Sequence, residues 1–145
     1  MPLGGSANQE FSIKFIQCMV SMKYTIEADH NKRLMICVFD GTLNTEVARK
    51  ATAELNRKAL EYHYNKLYDV SAARLSVSLG DSYFFPRELL SVFTDKAYKK
   101  LKVAIHFTEQ SDRKFWEFFK NTTQNVGYSL EVFTSRDKAI MWLNT

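Results

Sequence analysis

RLMICVFDGTLNTEVARKATAELNRKA, residues Arg33–Ala59, decides the fold because its hydrophobic period changes from two to four near the middle. The first half alternates apolar and other residues as a strand does, with Leu34, Ile36 and Val38 on one face. The strand is expected to end at Asp40-Gly41, and a helix then begins near Asn44 or Thr45, both good N-caps. In the second half an apolar residue recurs every four positions: Val47, Ala51, Leu55 and Ala59. This spacing predicts an amphipathic helix that lies on a sheet.

The sequence on both sides of this segment extends the pattern. Upstream, Met22–Ala28 alternates and is joined to Arg33–Asp40 by a short polar connection, which predicts a β-hairpin. Downstream, the predicted strands are Lys66–Ser71, Leu101–Phe107 and Tyr128–Phe133. The intervening helices are predicted to begin at Pro86, at Ser111 with Asp112, and at Ser135 with Asp137, and a loop covers Ala72–Phe85. Such alternation implies parallel pairing. We therefore expect an α/β fold, a mixed sheet of four to six strands covered by about four helices.

Length and composition indicate one globular domain. The chain has 145 residues, of which 46% are hydrophobic and 25% charged, and these are ordinary values for a single folded unit. We expect residues 22–145 to form this domain. Residues 1–21 are expected to be a leader or, through the apolar run Phe11–Val20, an extra edge strand.

Charge and hydropathy exclude some classes of function. The net charge of +4 is spread along the chain, whereas a nucleic-acid binder concentrates positive charge on one face. No stretch approaches the roughly 20 apolar residues of a membrane span, and no signal peptide is recognisable. We therefore expect a cytoplasmic protein without a nucleic-acid partner. Cys18 and Cys37 are expected to be buried free thiols rather than a disulfide.

The sequence contains no catalytic motif. Phosphate-binding, nucleotide-binding, nucleophile-elbow and zinc-ligand patterns are all missing, and His30, His63 and His106 are far apart in the sequence. We expect no enzyme activity, no cofactor and no metal. Asp69 is expected at the carboxyl end of a central strand, where α/β sheets place their sites, although a cap for the following loop is the simpler explanation.

The loop before the second helix holds the remaining candidates. Asp81 and Ser82 stand just before a helix start, where a phosphate on the serine would be stabilised; an ordinary turn is the alternative. Tyr83, Phe84 and Phe85 follow directly and could form a ligand or partner surface, or fill the core. The third helix carries further apolar positions, Phe115, Phe118 and Phe119.

The order of several short motifs resembles a STAS domain, the fold of bacterial anti-sigma-factor antagonists. The motifs are Phe39-Asp40-Gly41, Leu67–Ser71, Val103–Ile105, Val132-Phe133 and Asp137–Leu143, and the last is the most specific. The sequence is most similar to stand-alone STAS-like proteins, a group that includes the antagonists and CRAL-TRIO-type lipid-binding domains. In the antagonists a serine of an Asp-Ser-[Ser/Thr]-Gly turn is phosphorylated; only the Asp-Ser dipeptide is present here.

The resemblance leaves two functions open. It implies a non-enzymatic regulatory or scaffold module that binds another protein, with the loop at residues 78–86 and the following helix as its surface, and a homodimer is compatible with it. The alternative is a carrier or sensor of a small apolar or lipid-like molecule.

Overall fold

The computed structural model describes residues 24–76, 100–108 and 112–145. Within these ranges the chain forms a five-stranded sheet in the order β1-β2-β3-β4-β5 and three helices. The strands are β1 Tyr24–Asp29, β2 Leu34–Leu43, β3 Asn65–Leu75, β4 Lys102–His106 and β5 Ser129–Phe133. The helices are α1 Thr45–Tyr62, α2 Arg113–Asn125 and α3 Arg136–Leu143. β1 pairs with β2 antiparallel and the other neighbours pair in parallel. The predicted hairpin and mixed α/β sheet are confirmed.

Helix α1 forms as its sequence predicts. Asn44 caps it by accepting a hydrogen bond from the Val47 backbone N–H at 2.9 Å. The helix ends at His63, whose φ of 60° is left-handed and whose backbone N–H donates to the Ala59 carbonyl. All four positions of the predicted stripe are buried against the sheet: Val47, Ala51, Leu55 and Ala59.

Helix α2 differs from its prediction in which aromatic ring is buried. Trp116 is buried in the core beneath this helix, whereas Phe115 and Phe119 are partly buried and Phe118 is 37% exposed. Of the three apolar positions noted in the sequence of this helix, Phe118 is therefore the most exposed. Asp112 occupies the predicted N-cap position, but its side chain makes no capping hydrogen bond.

The two faces of the sheet are covered by different helices. Alternate residues of β2, such as Met35 and Cys37, belong to the core shared with α1 and α2. Their neighbours Leu34 and Ile36 instead pack with Ala139 and Leu143 of α3. Ser135 caps α3 as predicted, accepting from the Lys138 backbone N–H.

Cys37 is a free thiol in the first of these two cores. The residue is buried, and burial raises the pKa of its thiol to about 12. A thiol with so high a pKa is an inert core residue near neutral pH. Cys18, the partner of the rejected disulfide, lies outside the described residues.

Strands β2 and β3 run further than predicted. After a bulge between Val38 and Asp40, they continue to pair until Leu43 lies opposite Leu75. The predicted loop from Ala72 is therefore wrong over residues 72–75, because the backbone there is paired with β2. β4 stops earlier, at His106 opposite Asp69. Asp69 thus lies within β3, at the level where β4 ends, and not at the end of its own strand.

Several predictions concern residues that the structure does not describe. These are the leader or edge strand over residues 1–21, the second helix beginning at Pro86, and the site candidates Asp81, Ser82, Tyr83, Phe84 and Phe85.

The contact between α1 and β3 includes a buried lysine. Lys66 is buried on β3, and its Nζ donates to Oδ1 of Asn56 on α1. One turn earlier on the helix, the Thr52 hydroxyl accepts from Tyr68 Oη at 3.2 Å. Burial lowers the pKa of Lys66 to about 7. A neutral amine is therefore favoured in the folded protein at alkaline pH, whereas the unfolded chain keeps its ammonium.

Replacing Lys66 with Met should change how stability depends on pH. Between about pH 7 and 10.5 the unfolded chain binds one proton that the native lysine does not, so wild-type stability gains about 1.4 kcal/mol per pH unit from this group. We expect the stability difference between Lys66→Met and wild type to move in favour of wild type by that slope from pH 7 to 9, measured by urea unfolding.

Lys50→Met is the matched control, because Lys50 is an exposed lysine on α1, the helix that carries Asn56. The unpaired Asn56 oxygen left by Lys66→Met shifts all values equally and does not alter the slope. Parallel pH curves for wild type and Lys66→Met would contradict a buried lysine with a lowered pKa.

Candidate functional site

Four polar side chains meet where β4 ends. Asp69 of β3 and His106 of β4 are directly opposite in the parallel register. Arg136 is the first residue of α3, which follows β5, and Ser71 lies two residues after Asp69. Since β3, β4 and β5 are parallel, their carboxyl ends share one edge of the sheet, and this is the edge where α/β folds place binding sites. We call Asp69, Ser71, His106 and Arg136 the Asp69 cluster.

The Asp69 carboxylate is the centre of this cluster. Its Oδ1 accepts from the Ser71 hydroxyl at 2.6 Å, from the Ser71 backbone N–H at 3.1 Å, and from His106 Nδ1 at 3.1 Å. Its Oδ2 accepts from Arg136 Nη1 at 2.5 Å. Asp69 is only 7% exposed. A carboxylate so buried is stable only when its oxygens are paired, and here every donor belongs to the protein itself.

The bulge in the β2–β3 ladder helps to place Ser71. From Val38 to Asp40, β2 advances two residues, whereas β3 advances three from Asp69 to Ala72. The extra residue brings both the hydroxyl and the N–H of Ser71 back to the Asp69 carboxylate. Bulges commonly redirect side chains beside functional sites in this way.

The environment keeps Asp69 ionised. Burial by itself would raise the pKa of this carboxyl, but the hydrogen bonds from Ser71 and the charges of His106 and Arg136 outweigh it and lower the pKa below the ordinary value. An ionised carboxylate only accepts hydrogen bonds, so His106 Nδ1 must carry a proton. The cluster therefore fixes the tautomer of the imidazole.

Two groups of the cluster keep binding capacity. His106 is 8% exposed, and its Nε2 makes no hydrogen bond to any described residue. The Arg136 side chain is 40% exposed and uses one of its five N–H donors on Asp69. Both groups contact the same carboxylate, and the Arg136 side chain is the more exposed of the two.

The geometry differs from that of a Ser-His-Asp nucleophile. In such a triad the serine hydroxyl donates to the imidazole, which removes its proton. Here the Ser71 hydroxyl donates to Asp69 instead. The arrangement can hold and orient donors, but it does not activate the Ser71 oxygen.

The cluster was predicted only in part. Asp69 was a candidate, and the structure places it in the network described. Ser71, His106 and Arg136 were not singled out. One available signal for His106 was that it and Asp69 lie near the carboxyl ends of two predicted strands that are expected to be neighbours. The signal for Ser71 was the Asp-x-Ser spacing. Arg136 gave no signal, because its position depends on how the last helix folds back.

Comparison with known proteins identifies the fold. No family model matches the chain, and no curated protein matches it. Among solved structures, the chain is similar to an uncharacterised protein of the DUF3478 family with a SpoIIAA-like fold, from Shewanella loihica PV-4. The two share 18% identity with a TM-score of 0.53, and the match covers 83% of this chain and 91% of the other.

The chain therefore has a SpoIIAA-like fold, the fold of STAS domains and anti-sigma-factor antagonists. At this level of identity the likeness concerns the fold alone. No helix in the described ranges combines the length and apolar character needed to span a membrane. The His, Cys, Asp and Glu side chains of the same ranges form no group of three suited to a metal ion.

The ionised Asp69 carboxylate predicts a particular effect of acid on Asp69→Asn. At pH 7 the variant should be less stable by about 2 kcal/mol, because charge-assisted hydrogen bonds are lost. Since the native pKa lies below the unfolded one, this contribution is complete above about pH 4 and disappears as pH falls through the native pKa. The two proteins should therefore converge in urea unfolding at the lowest pH values.

Asp40→Asn serves as the control, because Asp40 is an exposed carboxylate on the neighbouring strand. It should leave stability within about 0.5 kcal/mol of wild type at every pH. A constant difference between Asp69→Asn and wild type from pH 7 to pH 2 would show that the Asp69 charge contributes nothing.

Proposed function

We propose that this protein is a non-enzymatic regulatory module that binds another protein through the surface around the Asp69 cluster. The observation that carries the proposal is the way the cluster is satisfied. The buried carboxylate accepts from donors of three elements of the same chain, while the Arg136 side chain is 40% exposed. The cluster is thus a preorganised set of hydrogen-bonding groups at a sheet edge.

Preorganisation favours binding because little order has to be imposed when a partner arrives. His106 is held by Asp69 on a strand, and Arg136 is held by the same carboxylate at the start of a helix. Charged groups that are already oriented also discriminate between partners, since a poorly matched partner leaves them unpaired. The absence of an activated nucleophile in the cluster is consistent with a function in recognition.

The SpoIIAA-like fold supports the regulatory part of the proposal through the resemblance to anti-sigma-factor antagonists, which act by binding proteins. The carrier alternative has less support. Phe115 and Phe119, two of the rings that motivated it, pack with Trp116 against the core.

Affinity purification from the protein's own host tests the proposal. Wild type and Arg136→Ala would be compared by quantitative mass spectrometry, with Lys138→Ala as the control that removes a nearby exposed charge from the same helix. We expect a reproducible protein partner with wild type and Lys138→Ala, depleted about tenfold or more with Arg136→Ala, as is typical when an interfacial arginine is truncated.

Thermal unfolding of each variant would verify that the domain is folded. If no protein is enriched reproducibly, or if the same proteins are enriched with Arg136→Ala as with wild type, the Asp69 cluster is not a protein-binding surface.

A further inference from the structure

We infer that the Asp69 cluster recognises one oxyanion, a carboxylate or phosphate group of the partner, with His106 Nε2 and Arg136 as the two donors. The inference rests on the proposed function and names the chemistry that the surface would select. It starts from a feature that the internal network leaves unused. Nε2 belongs to a side chain that is 11% exposed, and it has no partner among the described residues.

Arg136 supplies the second donor. Its Nη1 is engaged by Asp69, and the other four N–H groups of its planar fork make no hydrogen bond to the residues that the structure describes, so they can serve an external acceptor. Guanidinium forks match the geometry of carboxylates and phosphates. An arginine already braced by an internal carboxylate also loses little side-chain entropy on binding.

The charges facing His106 define the preferred ligand. Asp69 faces the imidazole from β3, Arg136 lies on the same carboxylate from α3, and the neighbouring residue on β5 is the uncharged Phe133. With a neutral imidazole, the charges of Asp69 and Arg136 cancel. When the imidazole takes a second proton on Nε2, the cluster carries one net positive charge, and both outward groups become donors. An oxyanion then restores neutrality and accepts from both.

Proton uptake and oxyanion binding are therefore linked. If protonation of His106 raises the affinity for a ligand by some factor, binding of that ligand raises the proton affinity of His106 by the same factor. This coupling distinguishes the inference from attraction to a surface arginine alone, which would not depend on the protonation of His106.

Nuclear magnetic resonance of the histidine rings in the full chain tests the inference. Inorganic phosphate and sodium acetate would be titrated separately at fixed ionic strength, held constant with sodium chloride. We expect His106 ring resonances to shift and saturate with at least one of the two anions, and its protonation midpoint to rise in that anion. His30 and His63 are internal references, because they lie beside the amino ends of the parallel strands.

Arg136→Gln removes the charge but keeps a polar side chain, and Lys138→Gln is the matched control. Arg136→Gln should weaken the response of His106 by about tenfold, the usual effect of losing one charge-assisted hydrogen bond. Lys138→Gln should leave it unchanged. Amide spectra of the sheet residues would show that both variants keep the fold.

Saturation with phosphate alone identifies a phosphate group, and saturation with acetate alone identifies a carboxylate. The inference is overturned if neither anion produces a saturable shift, if the His106 midpoint does not move, or if Arg136→Gln responds like wild type. If the protein partner found by affinity purification is nevertheless lost with Arg136→Ala, the proposed function stands without oxyanion recognition.

Discussion

The buried carboxylate of Asp69 is the constraint on which the carboxyl edge of this sheet depends. A negative charge that is 7% exposed requires donors on both oxygens, and these come from β3 itself, from His106 on β4 and from Arg136 on α3. The same bonds that satisfy the charge hold a strand end and a helix start in register. Removing one donor from such a site leaves a charge uncompensated, and this is why a single residue can determine the position of several others.

Strand β3 carries polar groups on opposite faces near its two ends. Near the amino end, Lys66 points to α1 and is held by Asn56. Toward the carboxyl end, Asp69 points to the face covered by α3 and is held by Arg136. The apolar cores on either side separate the two features. The α1 side can therefore stabilise the sheet without constraining the surface that we propose for binding.

Local patterns were sufficient to predict the elements within the described residues, but not how far each strand is paired. The four-residue stripe of α1 and the caps at Asn44 and Ser135 depend on neighbours within one turn, and they were predicted correctly. The extension of β3 through Ala72 and Ala73 depends on pairing with β2 after a bulge, and small residues following a serine give no local indication of it. The position of Arg136 depends on the packing of α3, a tertiary contact that no sequence period encodes.

Carbon-13 nuclear magnetic resonance of aspartate-labelled protein measures the ionisation of the Asp69 carboxyl directly. With the resonance assigned by its loss in Asp69→Asn, the signal would be followed from pH 7 to pH 2. The account predicts that the carboxyl has a midpoint below the ordinary aspartate value of about 3.9, because Ser71, His106 and Arg136 all stabilise the charged form. A midpoint at or above the ordinary value would mean that burial outweighs these donors, and the cluster would not be the charged centre described here.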